Sequence, residues 1–106
     1  MIVNMAFKHT EPSDQVKSYA IKRSEKLKKY FNGRICLSWS FESEKQNHTA
    51  HCHLTGKHID YFGEASTETF YSAIDFVIDK IERQVKKHKE IVKDHHYKDK
   101  KKLRRA

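Results

Sequence analysis

Glycine and proline are scarce in this chain of 106 residues, which has three glycines, at 33, 56 and 63, and one proline, Pro12. No glycines stand in a G-x-G arrangement, so the sequence offers no glycine-rich loop to cradle a nucleotide phosphate. There are two cysteines, Cys36 and Cys52, without C-x-x-C spacing. That argues against a zinc ribbon or a disulfide framework and predicts two reduced thiols in strand-like segments. Long apolar runs are missing too: nothing approaches the roughly 18 residues that a membrane-spanning helix needs. The N-terminal MIVNMAFKHT is too short and too polar for a secretory signal. The expectation is a cytoplasmic protein with no membrane partner. No nucleophile motif and no paired-carboxylate arrangement is visible, so no enzyme, no cofactor and no small-molecule substrate is expected.

What the sequence has in quantity is charge. Lys and Arg number 22 against 14 Asp and Glu, a net charge of +8. The charge is segregated. Residues 86–106 carry ten Lys or Arg against three acids, and residues 15–31 carry six against one, so the remainder is net acidic. Two basic helical regions on a mildly acidic body favour nucleic acid or another anionic surface as partner. The hydrophobic share of 37% and the charged share of 34% fit one domain with a modest core and a solvated tail.

Periodicity orders the elements. Val3, Met5 and Phe7 alternate along a first strand from Ile2 to Lys8. Glu11-Pro12-Ser13-Asp14 is a helix-start signal, with Ser13 or Asp14 as the capping acceptor. The first helix is predicted over about 15–31, with Val16, Tyr19, Ala20, Leu27 and Tyr30 on its apolar face. Asn32-Gly33 should close it in the left-handed conformation. Ile35, Leu37, Trp39 and Phe41 alternate on a half-buried strand. Ala50, Cys52 and Leu54 alternate on the next, opposite Thr49, His51, His53 and Thr55. Gly56-Lys57 makes a short turn, and a last strand of ambiguous facing runs from His58 to Ala65.

The second helix starts near Thr67 or Thr69 and runs to about Lys93. At 100° per residue, Phe70, Ile74, Val77, Ile81, Val85, His88 and Val92 share one side. Lys80, Arg83 and Lys87 form a straight cationic row on another, and Asp75, Asp79 and Glu82 occupy the remaining flank. The first helix carries its own row, Lys22, Lys26 and Lys29. The order β-α-β-β-β-α predicts an α+β fold, one four-stranded sheet with both helices packed on the same face. Some 25 helical residues span roughly 37 Å, so the second helix should overhang the sheet. The domain is expected over 1–95, with 96–106 a basic tail disordered when free.

The element order, the helix A-I-D-F-V-I-D-K-I-E-R-Q-V-K-K-H-K at 73–89 and the K-L-K-K-Y-F that precedes Asn32-Gly33 resemble the ribosome hibernation-promoting factor and ribosome-associated inhibitor family. The resemblance covers roughly residues 1–95. It implies a topology related to double-stranded RNA-binding domains. It also implies a protein lodged in the small ribosomal subunit, in the channel of mRNA and tRNA, that silences translation under stress or in stationary phase. Carried over by position, ribosomal RNA would be met by Lys22, Arg23, Lys26 and Lys29 of the first helix. From the second helix it would be met by Lys80, Arg83, Gln84, Lys86, Lys87 and Lys89. Long members of that family add a C-terminal dimerisation domain. This chain stops at Ala106 and resembles the short type, expected to be monomeric away from the ribosome.

Two other readings compete. A general module for structured RNA would carry the same stripes, because phosphate contacts position a protein without reading sequence. A metal-dependent RNA-cleaving enzyme would need a centre on His51 and His53, an i, i+2 pair on one strand face. Cys52 points away from that pair, and no third ligand has suitable spacing; His95-His96 is a weaker pair still. Among the aromatics, Trp39 and Phe41 fall on the apolar side of their strand and read as core. Tyr71 lies off the apolar side of its helix, where it can pack on the sheet edge or touch RNA. Tyr97, in the tail, is free to stack on a base.

Overall fold

The computed structural model describes the backbone of residues 1–98 and the side chains of residues 1–88. The order is β1 (Ile2–Lys8), α1 (Asp14–Lys28), β2 (Ile35–Glu44), β3 (Asn47–Gly56), β4 (Ile59–Thr67) and α2 (Phe70–Lys98). The strands form one sheet in the order β1-β2-β3-β4. β1 pairs parallel with β2, with Met5 opposite Trp39. A parallel pair needs a crossover, and α1 supplies it. The other two pairings are antiparallel hairpins, with Trp39 opposite Cys52 and Cys52 opposite Gly63. Both helices pack on one face, as the element order predicts.

The alternations seen in the sequence set that face. Ile35, Leu37, Trp39 and Phe41 of β2 are buried together with Ala50, Cys52 and Leu54 of β3. Val16, Ala20 and Leu27 of α1 join them, as do Phe70, Ala73, Ile74, Val77, Ile78, Ile81 and Val85 of α2. β4, ambiguous by pattern, turns Ile59, Tyr61, Gly63 and Ala65 toward the helices and Asp60, Phe62, Glu64 and Ser66 outward. Phe41 is the hub of an aromatic stack, with ring centroids 5.0 Å from Phe7, 5.7 Å from Trp39 and 5.4 Å from Phe70. Cys36 and Cys52 are free thiols on opposite faces of the sheet. Burial pushes the Cys52 thiol up to about 12, which makes it inert near neutral pH.

The element ends depart from the sequence reading in ways that have physical causes. Ser13 is the cap of α1, its Oγ accepting from the Val16 N–H at 3.3 Å. The helix stops at Lys28 rather than Phe31, and Asn32-Gly33 is not a left-handed cap, since neither residue has positive φ. The N–H groups of Tyr30 and Phe31 instead bond the carbonyls three residues back, at 3.1 Å each. This tighter turn satisfies the helix end without a left-handed residue. In the β3–β4 turn the left-handed residue is His58, with φ 62°, and Gly56 remains paired in the ladder. Gly56 is needed for space: a Cβ there would lie 3.1 Å from the Arg34 carbonyl oxygen.

Thr69 caps α2, its Oγ1 accepting from the Ser72 N–H at 3.2 Å and its carbonyl from the Ala73 N–H at 3.2 Å. The helix continues to Lys98, past the expected end near Lys93 and into the segment expected to be a tail. Its 29 residues make about 44 Å, against about 30 Å for β4, so it overhangs the sheet as expected. The rest of the expected tail, 99–106, lies outside the described residues, as do the side chains of Lys89, Val92, His95, His96 and Tyr97. His88 is not part of the apolar face. It is exposed, and its Nδ1 lies 2.5 Å from the Tyr61 hydroxyl, at the end of β4 where the core runs out. Ile78, absent from the predicted face, is fully buried.

One polar group sits at the centre of the core. Ser24 is fully buried; its hydroxyl donates to the Ala20 carbonyl at 2.6 Å and accepts from the Trp39 indole N–H at 3.0 Å. The bond satisfies the one polar atom of the largest core side chain. Ser24→Ala is expected to cost about 1–3 kcal/mol by leaving that N–H unpaired. Adding Trp39→Phe should cost less than the sum of the single variants, because the orphaned donor is then gone. Urea unfolding followed by circular dichroism checks this, and strict additivity would contradict it.

Candidate nucleic-acid interface

The geometry of the cationic surface is set by how α1 lies against α2. Tyr19 donates its hydroxyl to both carboxylate oxygens of Asp75, at 2.9 and 3.0 Å, and Arg23 Nε lies 3.0 Å from Asp75 Oδ1. About two turns further on, Tyr30 donates to Glu82 at 2.6 Å and Lys26 Nζ lies 3.2 Å from Glu82 Oε1. Each α2 carboxylate is thus held by one cation of α1 and one tyrosine, Tyr19 within α1 and Tyr30 in the turn that follows it. Residues 19 and 23 meet 75 while 26 and 30 meet 82, so the two helices run side by side in the same direction. Tyr71 joins the first clasp by packing edge-on against Tyr19, with centroids 5.2 Å apart, rather than on the sheet edge.

α2 is fastened on its other side to β4. Gly63 faces the helix, and a Cβ there would lie 3.3 Å from the Val77 carbonyl oxygen and 3.4 Å from the Lys80 and Ile81 side chains. The missing side chain lets the helix come close. Lys80 Nζ then donates to the Glu64 carbonyl at 2.5 Å, and Gln84 Nε2 donates to the Phe62 carbonyl at 2.7 Å. These bonds occupy acceptors on the open edge of the sheet, which would otherwise invite a foreign strand.

The expected RNA-contacting residues therefore divide. Arg23 and Lys26 are engaged by carboxylates, and Lys80 and Gln84 by strand carbonyls. Lys29 is exposed, with its ammonium 5.4 Å from the ring centre of Tyr30. Lys22, Arg83, Lys86 and Lys87 are exposed and make no ion pair among the described residues. Lys22 lines a shallow cleft between the helix starts with Asp14, Gln15, Ser18, Tyr19 and Tyr71. The Lys89 side chain lies outside the described residues. Together the exposed cations run from the outer side of α1, over the clasp, to the outer side of α2.

The opposite face of the sheet has the opposite character. Its charges are Glu42, Glu44, Asp60 and Glu64 against Lys8. Here the two histidines singled out by spacing have local partners: His53 Nε2 lies 2.6 Å from Asp60 Oδ1, and the His51 ring lies 4.9 Å from that of Phe62. Among the described residues no group of three His, Cys, Asp or Glu side chains is placed to share a metal ion. No helix among them is long and apolar enough to cross a membrane.

The clasps shift the ionisation of their members. The Tyr30 hydrogen bond, with the ammonium groups of Lys26 and Lys86, holds the Glu82 carboxyl below its ordinary 4.5, against the opposing effect of burial. The phenols of Tyr30 and Tyr19 are raised above 10.0, chiefly because each donates to a carboxylate. A depressed carboxylate stabilises the fold above its unfolded pKa, and that contribution is lost as pH falls through the folded value. Glu82→Gln should therefore lower stability at neutral pH, and the gap to wild type should narrow between about pH 5 and pH 3. Urea midpoints of both proteins across that range test this; a gap independent of pH would contradict the clasp.

The chain is similar in sequence and fold to known proteins. Residues 3–93 match the family described as Sigma 54 modulation protein / S30EA ribosomal protein. The chain is 31% identical over 97 residues to the ribosome hibernation promoting factor of Escherichia coli strain K12, covering 90% of this chain and 100% of that one. It is 28% identical over 90 residues to the factor of the same name from Pseudomonas putida strain KT2440, covering 85% and 88%. The crystal structure of the Thermus thermophilus Protein Y N-terminal domain has the same fold, with a TM-score of 0.78 at 21% identity over 83% of this chain and 99% of that one. The chain belongs to the Sigma 54 modulation protein / S30EA ribosomal protein family, whose curated relatives are ribosome hibernation promoting factors.

Proposed function

We propose that this protein is a cytoplasmic ribosome hibernation factor. It binds the small ribosomal subunit at the decoding channel, excludes mRNA and tRNA, and holds translation silent under stress or in stationary phase. Family membership supports the ribosome as target. The observation that carries the mode of binding is the sidedness of charge: Lys22, Lys29, Arg83, Lys86 and Lys87 are exposed on the helical side, opposite a sheet face dominated by carboxylates.

The mechanism is steric and electrostatic, without a chemical step. A cation that meets a phosphate releases condensed counterions, so affinity falls steeply with salt, by a logarithmic slope of about 0.7 to 0.9 per phosphate neutralised. Five such contacts give a slope of about −4. Phosphate contacts fix orientation but read no sequence. Selectivity comes from the fixed spacing of the two helices against a folded RNA surface. Arg23, Lys26, Lys80 and Gln84 hold that spacing and reach RNA only with the donors left over.

The test is cosedimentation with small subunits over a salt series. Arg83→Glu with Lys87→Glu should reduce binding by at least a hundredfold and flatten the salt slope by about 2, while the helical circular dichroism persists. Excess free structured RNA should fail to displace the wild type. Unchanged binding of the double variant would overturn the assignment of the helical face, and equal competition by free RNA would make the protein a general RNA binder.

A further inference from the structure

The cationic row on α2 begins one turn earlier than its charges do. Phe76, Lys80, Arg83 and Lys87 stand at i, i+4, i+7 and i+11, within one narrow arc of the helix. Phe76 is 53% exposed and points away from the core that buries its neighbours Val77 and Ile78. A single exposed apolar residue normally needs no explanation. Phe76 differs in its setting. Phe62 is exposed to a similar degree, 51%, but stands on the sheet face between the outward carboxylates of Asp60 and Glu64. Phe76 is followed at one-turn intervals by cations. Lys80, one turn along, gives one donor to the Glu64 carbonyl and keeps two of its three. Asp75 turns to the clasp with α1, and Asp79 lies on the α1 side of the arc, so the open approach to the ring is along Lys80 and Arg83.

We infer that Phe76 is a stacking platform for an unpaired base, whose flanking phosphates lie on Lys80 and Arg83. The inference rests on the proposed RNA-binding role of the helical face and adds to it a preference for RNA in which a nucleotide is bulged or splayed. An aromatic face at the end of a cationic row is the chemistry that captures such bases, because every base has a π-face and a stacked base leaves its phosphates free for the cations. Lys80 rises about 6 Å beyond Phe76 along the helix axis and Arg83 about 10 Å, within reach of one nucleotide and its neighbour. The occupant is a nucleobase rather than an apolar protein side chain because the cations around the ring attract phosphate.

Two probes test this. One is the purified small ribosomal subunit. The other is an RNA hairpin with a single bulged 2-aminopurine, set against the same hairpin fully paired, at low salt. The wild type should prefer the bulged hairpin and quench its fluorescence. Phe76→Ala and Phe76→Leu should each bind the bulged hairpin and the subunit about tenfold more weakly, with the salt slope unchanged because no charge is removed. Phe76→Tyr should bind as the wild type does. The fold should be indifferent, since the side chain is exposed and Ala and Leu are strong helix formers.

If Leu binds as well as Phe, the contact is apolar rather than stacked and the inference is overturned. It is overturned equally if the wild type binds the subunit but ignores the bulge. If the bulge preference depends on Phe76 while the subunit is not bound, the inference stands and the hibernation reading falls. Binding to neither probe overturns both.

Discussion

Asp75 and Glu82, seven residues apart on α2, hold the two helices at a fixed spacing. Each carboxylate lies between a tyrosine hydroxyl and a cation of α1, in a setting where neither partner is fully solvated. An exposed ion pair alone contributes little. Here the tyrosines add charge-assisted hydrogen bonds, and the pairs repeat in register along parallel helices. The clasps fix the direction and spacing of α1 against α2, and the cationic surface is laid out on that frame.

The same contacts explain why the basic surface is not simply the sum of its lysines. A purely cationic pair of helices on one sheet face would repel itself. Placing two carboxylates in the seam neutralises the inner cations, Arg23 and Lys26, and leaves the outer ones, Lys22, Lys29, Arg83, Lys86 and Lys87, to act at a distance. On the far side, the missing side chain of Gly63 lets Lys80 and Gln84 tie α2 to β4. The helix is thus fixed along both flanks and open along its outer side. In the proposed complex, that rigidity keeps the spacing of charges constant when RNA arrives.

Much of the fold is legible in the sequence because its strands bury one side only. Ile35, Leu37, Trp39 and Phe41 alternate cleanly, and so do Ala50, Cys52 and Leu54, which leaves little freedom in facing or register. The amphipathic period of α2 is equally clear. What the sequence does not disclose is pairing across elements. Arg23 and Lys26 look like free members of a basic region until Asp75 and Glu82 are brought opposite them. The i, i+4 spacings of Tyr19 with Arg23 and of Lys26 with Tyr30, set against two acids seven apart, are a signal visible only once the helices are known to be parallel neighbours. Ser24 reads as a polar helix residue and is the buried partner of Trp39. Asn32-Gly33 reads as a cap, but hydrogen bonds to the carbonyls three residues back end the helix first. For Arg23, Lys26 and Ser24 the local reading is overruled by a contact from another element, and for Asn32-Gly33 by the tighter turn at the helix end itself.

In the proposed complex the helical side faces RNA and the sheet side does not. Residue-resolved lysine acylation, read by mass spectrometry with and without saturating small ribosomal subunits, tests it most directly. Lys22, Lys29, Lys86 and Lys87 should become protected on binding. Lys26 should react slowly even in the free protein. Lys8, on the outer sheet face, and Lys45 and Lys57, in the hairpin turns, should stay reactive throughout. Protection of Lys8, Lys45 and Lys57 with continued reactivity of the helical lysines would contradict it.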